Sequence, residues 1–305
     1  MHRLWLVGTL TLVVAGCGSS AHHPASQSRA EEFSYDAAAP LHYVDHGRVN
    51  TRRYPIAVHD VSYSSGGRRV QGYLVLPPRG PGRRPAVVFV HGAGGDRSEL
   101  LRQAGWLAAR NVVALTITAP SATPHIPEST PTALLAEQRT TAVADVVAVR
   151  RAVDLLRSLR FVDPARIGYV GWSAGARTGT LLAASEPRLR AFALLSAGAA
   201  PVSAYVAQAP PAFRAQVRRV FGSIDPIRHV ARARPGSLLL EDGRRDEIVP
   251  RPALLNVIHA APHGTAVRWY DAPHALNRAA YRDAFAWLAR KLPIDGPPVE
   301  GAAIA

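Results

Sequence analysis

The sequence predicts an α/β fold: a mostly parallel central sheet flanked by helices, entered through an N-terminal antiparallel hairpin and carrying no large cap domain. Three observations lead there. From about Val58 to Leu292 short β-rich runs alternate with longer helical ones, the pattern of parallel strands joined by crossover helices. Some runs, Ala86-Val87-Val88-Phe89-Val90 above all, are unbroken apolar stretches, as expected of strands covered on both faces. The chain has 305 residues, 48% apolar and 19% charged. That is room for one domain of about 250 residues plus appendages, with a core large enough to stand without disulfides. The single cysteine, Cys17, excludes zinc ribbons, iron–sulfur clusters and CxxC redox sites, which all need more thiols.

The 36 basic and 22 acidic residues give a net charge of +14, which favours contact with anionic surfaces such as phospholipid headgroups. Apart from Lys291 the basic residues are arginines spread along the whole chain, with no dense tract interleaved with aromatics. That distribution argues against a nucleic-acid partner.

Residues 1–16 predict a secretory signal, with Arg3 ahead of an apolar run from Leu4 to Ala15. The run is too short for the ~20 residues that span a bilayer as a helix. Val14-Ala15-Gly16-Cys17 resembles the lipobox of bacterial lipoproteins. The resemblance implies cleavage before Cys17, lipid on its sulfur and new amino group, and an extracytoplasmic protein anchored to the membrane of the cell envelope by buried methylenes at about 0.8 kcal/mol each. The other reading is an ordinary signal peptide with an incidental cysteine. Residues 17–50, rich in Ser, Ala, Pro and His without periodicity, predict a flexible tether in which His22 and His23 are solvated. The domain is expected over 51–293, and 294–305 as a disordered tail.

Within the domain, Val58–Tyr63 and Val70–Leu76 flank Gly66-Gly67 and predict the hairpin. Strands follow at Ala86–Val90, Val112–Thr118, Ile167–Gly171, Ala191–Ser196, Ser237–Glu241 and Ala266–Tyr270. Helices are expected near 97–110, 134–159, 174–185, 250–261 and 277–291. The helix near 134–159 spaces Val143, Val146, Val147, Val153, Leu155 and Leu156 at about 3.6 residues, which leaves Arg139, Arg150, Arg151 and Arg157 for its wet face. Two connections, 119–133 and 199–236, are longer than packing requires, the second holding a short helical patch. Both follow strands, at the sheet end where ligand crevices form. The arginines at 214, 218, 219, 228, 232 and 234 in the second form a solvated face or an attractor of anionic substrates.

Gly171-Trp172-Ser173-Ala174-Gly175 is a G-x-S-x-G between an apolar strand and an Ala/Leu-rich helix, the setting of a nucleophile elbow. The turn is so tight that only glycine fits on either side, and it leaves the Ser173 hydroxyl exposed. Serine needs a base, and the base needs a carboxylate to orient it. Of twelve histidines, His274 alone sits between the last strand and the last helix, whereas His125, His229, His259 and His263 lack comparable placement. Asp246, on the loop after the preceding strand, is the candidate carboxylate, with Asp242 and Asp271 as rivals. His91-Gly92-Ala93-Gly94-Gly95-Asp96-Arg97 closes the strand Ala86–Val90. Its Ala93 amide, with Gly94 as fallback, would join the Ala174 amide in a two-donor oxyanion hole, where one donor is worth about 3 kcal/mol. Trp172 walls the substrate pocket or packs helix on sheet, and Gly94 is also a candidate substrate contact.

The strand ending in HGAGGDR, the elbow GWSAG preceded by VDPARI, the GRRDEIVP loop and the late DAPHALN together resemble the α/β-hydrolase superfamily over about residues 55–292. The branch they are most similar to is the dienelactone-hydrolase-like and prolyl-oligopeptidase-like serine esterases. Position 173 is serine where dienelactone hydrolases carry cysteine, and the chain has no room for the extra domain of prolyl oligopeptidases. The resemblance implies an α/β-hydrolase fold and a Ser-His-Asp enzyme cleaving small-molecule carboxylic esters of small or medium acyl chains through an acyl-enzyme, without metal or organic cofactor. Two other functions fit the same residues: acyl transfer to an alcohol acceptor in envelope lipid synthesis, and a non-catalytic binding lipoprotein that keeps the fold.

Overall fold

The structure, a computed structural model, describes residues 32–49, 56–78, 82–122 and 130–294. The signal segment 1–16, Cys17, His22, His23, His125 and residues 295–305 lie outside the described residues. Nine strands form one sheet: β1 (Val44–Arg48), β2 (Ala57–Ser65), β3 (Arg68–Leu76), β4 (Arg84–Val90), β5 (Val113–Ile117), β6 (Val162–Trp172), β7 (Leu189–Leu195), β8 (Leu238–Gly243) and β9 (Ala266–Tyr270), in the order β1-β2-β3-β5-β4-β6-β7-β8-β9. The pairs β1–β2, β2–β3 and β3–β5 are antiparallel, and every pair from β5 across to β9 is parallel.

The parallel centre carries helices on both faces. Helices α1 (Leu101–Ala108) and α8 (Arg278–Lys291) cover one face, closing over Val87, Phe89, Val170 and Leu195. On the other, α2 (Pro131–Ser158), α3 (Ala174–Ser185) and α7 (Arg251–Ala260) cover Val88, Tyr169, Phe192 and Leu240. Alternate residues of one strand thus enter opposite cores, which is why β4 reads as an unbroken apolar run and is buried along its whole length. This is the predicted fold class, with strands within a few residues of their expected bounds.

Three expectations need correction. Residues 32–49 are not a tether. Phe33 is fully buried, the Tyr35 hydroxyl donates to Asp154, and β1 pairs with β2 as an edge strand. The segment escaped notice because β1 is exposed along its whole length, leaving no apolar alternation to read, and is held by backbone ladder bonds instead. Second, Arg150 and Arg151 do not face water. Arg150 Nη1 donates to the Phe33 carbonyl at 2.6 Å and Arg151 Nη2 to the Ala39 carbonyl at 2.7 Å, so α2 fastens the N-terminal segment with the charges assigned to its wet face. Third, the connection 199–236 holds not one helical patch but α4 (Val202–Gln208), α5 (Arg214–Ser223) and α6 (Pro226–Val230), the first two separated by the Pro210-Pro211 break.

Candidate active site

The turn from β6 into α3 places Ser173 at φ 54°, ψ −112°, a left-handed region that a side chain enters only when its surroundings hold it there. Three backbone bonds do so. Ser173 N–H donates to the Leu195 carbonyl at 2.9 Å, Arg177 N–H to the Ser173 carbonyl at 2.9 Å, and Gly175 N–H to the His91 carbonyl at 3.0 Å. A Cβ on Gly171 would overlap the Gly175 carbonyl, and one on Gly175 would overlap that of Val90, so both glycines are steric requirements of the turn.

The structure brings Ser173, His274 and Asp246 together. Ser173 Oγ lies 2.8 Å from His274 Nε2, and His274 Nδ1 lies 2.8 Å from Asp246 Oδ2. With the imidazole proton on Nδ1, that N–H donates to the carboxylate and Nε2 accepts from the serine hydroxyl, which is the arrangement a general base requires. The relay is shielded, with the His274 side chain 9% and the Asp246 side chain 2% exposed. The Ile248 and Val249 N–H groups donate to Asp246 Oδ1 at 2.9 and 2.8 Å, leaving Oδ2 for the histidine. The two loops meet because the chain passes close at Gly243, where a Cβ would press on the Ala272 and Pro273 carbonyls.

The rival carboxylates are elsewhere. Asp271 is exposed and pairs with Arg245 at 2.7 Å. Asp242 is buried in β8 with Oδ1 lacking a partner among the described residues, and burial, assisted by the charge of Asp246, pushes its pKa up to about 7.

His274 is also gripped by its backbone. Its N–H donates to Glu247 Oε2 at 3.2 Å, and its carbonyl accepts from Trp172 Nε1 at 3.0 Å and Ser196 Oγ at 2.9 Å. Sequence reasoning missed Ser196 and Glu247. Ser196 was discoverable as a polar residue at the carboxyl end of an apolar strand, and it sits at φ 56°. The Trp172 ring stands 5.4 Å from the imidazole and covers Gly92, where a Cβ would strike it. The indole therefore packs the site's loops together and holds the histidine.

After β4, the buried His91 accepts the Ala119 N–H on Nε2 at 2.9 Å, and its Nδ1–H faces the Gly92 carbonyl at 2.6 Å. Glu99 accepts the Gly92 N–H at 2.7 Å, so the following loop is braced from beneath. Ala93 lies exposed on that loop, Gly94 beside it takes φ 75°, and the His91–Gly175 bond stitches the loop to the elbow that carries Ala174. Among the described residues no group of three or more His, Cys, Asp or Glu could hold a metal ion.

No protein-family model matches the chain. Over 153 residues it is 31% identical to a protein named "Putative esterase NocK" from Nocardia uniformis subsp. tsuyamanensis, a match spanning 50% of this chain and 43% of that protein's length. The acetyl xylan esterase from Paenibacillus sp. R4 superposes with a TM-score of 0.69 at 19% identity, covering 87% of this chain and 93% of that one. Acetyl xylan esterase 1 from Thermoanaerobacterium sp. JW/SL YS485 gives 0.71 at 15%, covering 87% and 92%. An S-formylglutathione hydrolase from Agrobacterium tumefaciens gives 0.61 at 14%, covering 81% and 99%. These likenesses establish the architecture: the chain has the α/β-hydrolase fold.

Proposed function

We propose that the protein is a serine hydrolase of carboxylic esters of small or medium acyl chains, acting outside the cytoplasm from a lipid anchor on Cys17. The observation that carries this reading is the unbroken relay of two 2.8 Å contacts from a strained serine through His274 to a shielded carboxylate. His274 takes the proton as Ser173 Oγ attacks the acyl carbon, Asp246 stabilises the imidazolium, and the Ala93 and Ala174 amides receive the oxyanion. The alcohol leaves with the proton returned by His274, and water repeats the cycle on the acyl-enzyme. Similarity to a protein named as an esterase supports ester chemistry. The N-terminal segment ending in Val-Ala-Gly-Cys17 supports the anchor.

The test is hydrolysis of p-nitrophenyl esters of graded chain length, together with labelling by a fluorophosphonate. Ser173→Ala is expected to lose about 10⁴-fold or more in kcat and all labelling. Turnover that survives in the variant would remove Ser173 from the chemistry. Radiolabelled lipid on the wild-type chain, absent from Cys17→Ser, tests the anchor.

A further inference from the structure

A cleft of about 460 Å³ opens beside the relay, bordered by Arg177 of α3, Tyr205 of α4, Phe221 of α5 and Ile248 of the loop after Asp246. Its ends are tied to the site on both sides. Arg177 N–H bonds the Ser173 carbonyl one helical turn away, and Ile248 N–H bonds the Asp246 carboxylate.

The body of the cleft is apolar where an unliganded surface would not be. Ile248 is 65% exposed and Tyr205 38%, and the Tyr205 and Phe221 rings stack with centroids 4.4 Å apart and planes 5° from parallel. Large apolar side chains held against water around a concavity mark a ligand surface.

Its wall carries the cation of Arg177 and the carboxylate of Asp225. The domain's other arginines near carboxylates are used: Arg97 on Asp60, Arg150 on Glu186, Arg188 on Asp154. Arg177 is half-buried, yet among the described residues no hydrogen bond or ion pair engages its guanidinium. Two carboxyls lie nearby among the described residues. Asp145 is buried, feels the charge of Arg177 without forming an ion pair with it, and accepts the Ser121 N–H at 2.9 Å. Asp225 borders the cleft but caps α6, accepting the Ile227 N–H at 3.0 Å. A half-desolvated guanidinium on an apolar wall is stabilised most by a planar anion that fits its fork, and a carboxylate does so.

We propose that this cleft selects esters that carry a carboxylate on an apolar body, with Arg177 as the residue that reads the charge; the inference rests on the ester-hydrolase reading of Ser173. Arg177 follows Ser173 by one helical turn, and the half-ester of a short dicarboxylic acid is the simplest probe that carries an ester and a carboxylate together.

The experiment compares kcat/KM for mono-p-nitrophenyl glutarate with that for its uncharged methyl ester on the full-length protein. The wild type is expected to favour the charged substrate at least tenfold, with the ratio falling as salt rises. Arg177→Gln brings the ratio near one, Arg177→Lys restores part of it, and Arg177→Glu inverts it toward a cationic choline ester. In parallel, calorimetry follows monomethyl glutarate binding to Ser173→Ala and to Ser173→Ala/Arg177→Gln, which needs no turnover. Binding present in the first and lost in the second upholds the anion site even if no ester is cleaved. Hydrolysis of both esters without preference, or binding indifferent to Arg177, overturns it and leaves the hydrolase reading intact.

Discussion

The Ser196 hydroxyl donates to the backbone carbonyl of His274 across 2.9 Å, tying the end of β7 to the loop that carries the imidazole. The Trp172 indole reaches the same oxygen from the elbow's own strand, so His274 is hung from the two strands beside Ser173. Removing one donor loosens the imidazole without changing its chemistry. Ser196→Ala and Trp172→Phe are each expected to lower kcat about 5- to 50-fold through misplacement of the base, with KM for a small neutral ester and the pH–rate profile unchanged. Because both bonds end on one oxygen, the double variant should lose less than the product of the singles. A shifted apparent pKa, or a change confined to KM, would contradict a positioning role.

Of Asp246, the carboxylate the sequence favours, and its rivals Asp242 and Asp271, only Asp246 meets the imidazole, and two amides aim it. Asp246→Asn is expected to lower kcat by about 10³- to 10⁴-fold, because the amide no longer fixes the proton on Nδ1. Asp271→Asn, which breaks only an exposed pair with Arg245, should stay within about twofold. Steady-state kinetics at saturating p-nitrophenyl acetate decide it, and equal losses in the two variants would undo the assignment.

The parallel strands and their helices were legible because burial on both faces imposes long apolar runs, and the elbow because its glycines are sterically required. The edge strand β1 was not, since an exposed edge is held by backbone bonds that leave no side-chain signature. The roles of Arg150 and Arg151 were hidden for a related reason: a guanidinium donating to carbonyls more than a hundred residues away looks, in sequence, like one facing water. At the site, Ser173 and His274 were readable from motif and position, whereas the grip of Ser196, Trp172 and Glu247 on His274 depends on how three loops close.

Glu241 and Asp242 are adjacent in β8 and buried, and burial is the largest cause of raised pKa values of about 8 and about 7. The unfolded chain releases these protons from about pH 4 upward, whereas the folded protein keeps them until pH 7–8. The folded state therefore binds more protons across that window, and stability falls as pH rises through it. Asp242→Asn and Glu241→Gln remove the titrating group. Each is expected to be more stable than the wild type at pH 8.5, by on the order of 1–2 kcal/mol, with the advantage shrinking toward pH 4. Urea denaturation at four pH values tests this, and an advantage that grows as pH falls would reverse the sign of the argument.

Phe33 separates a tether from a structural segment. Its side chain is fully buried among the residues of the α2–α3 core, its ring lies 5.2 Å from that of His229, and its carbonyl accepts from Arg150. A substitution in a solvated tether should stay within about 0.5 kcal/mol. Removing a buried phenyl ring forfeits its transfer energy and leaves a cavity, together about 3–5 kcal/mol. Phe33→Ala is thus expected to lower the urea midpoint sharply. Because the ring makes no contact with Ser173, Asp246 or His274, kcat measured well below the melting temperature should stay within about twofold of wild type. Stability unchanged by the substitution would return residues 32–49 to the status of a linker.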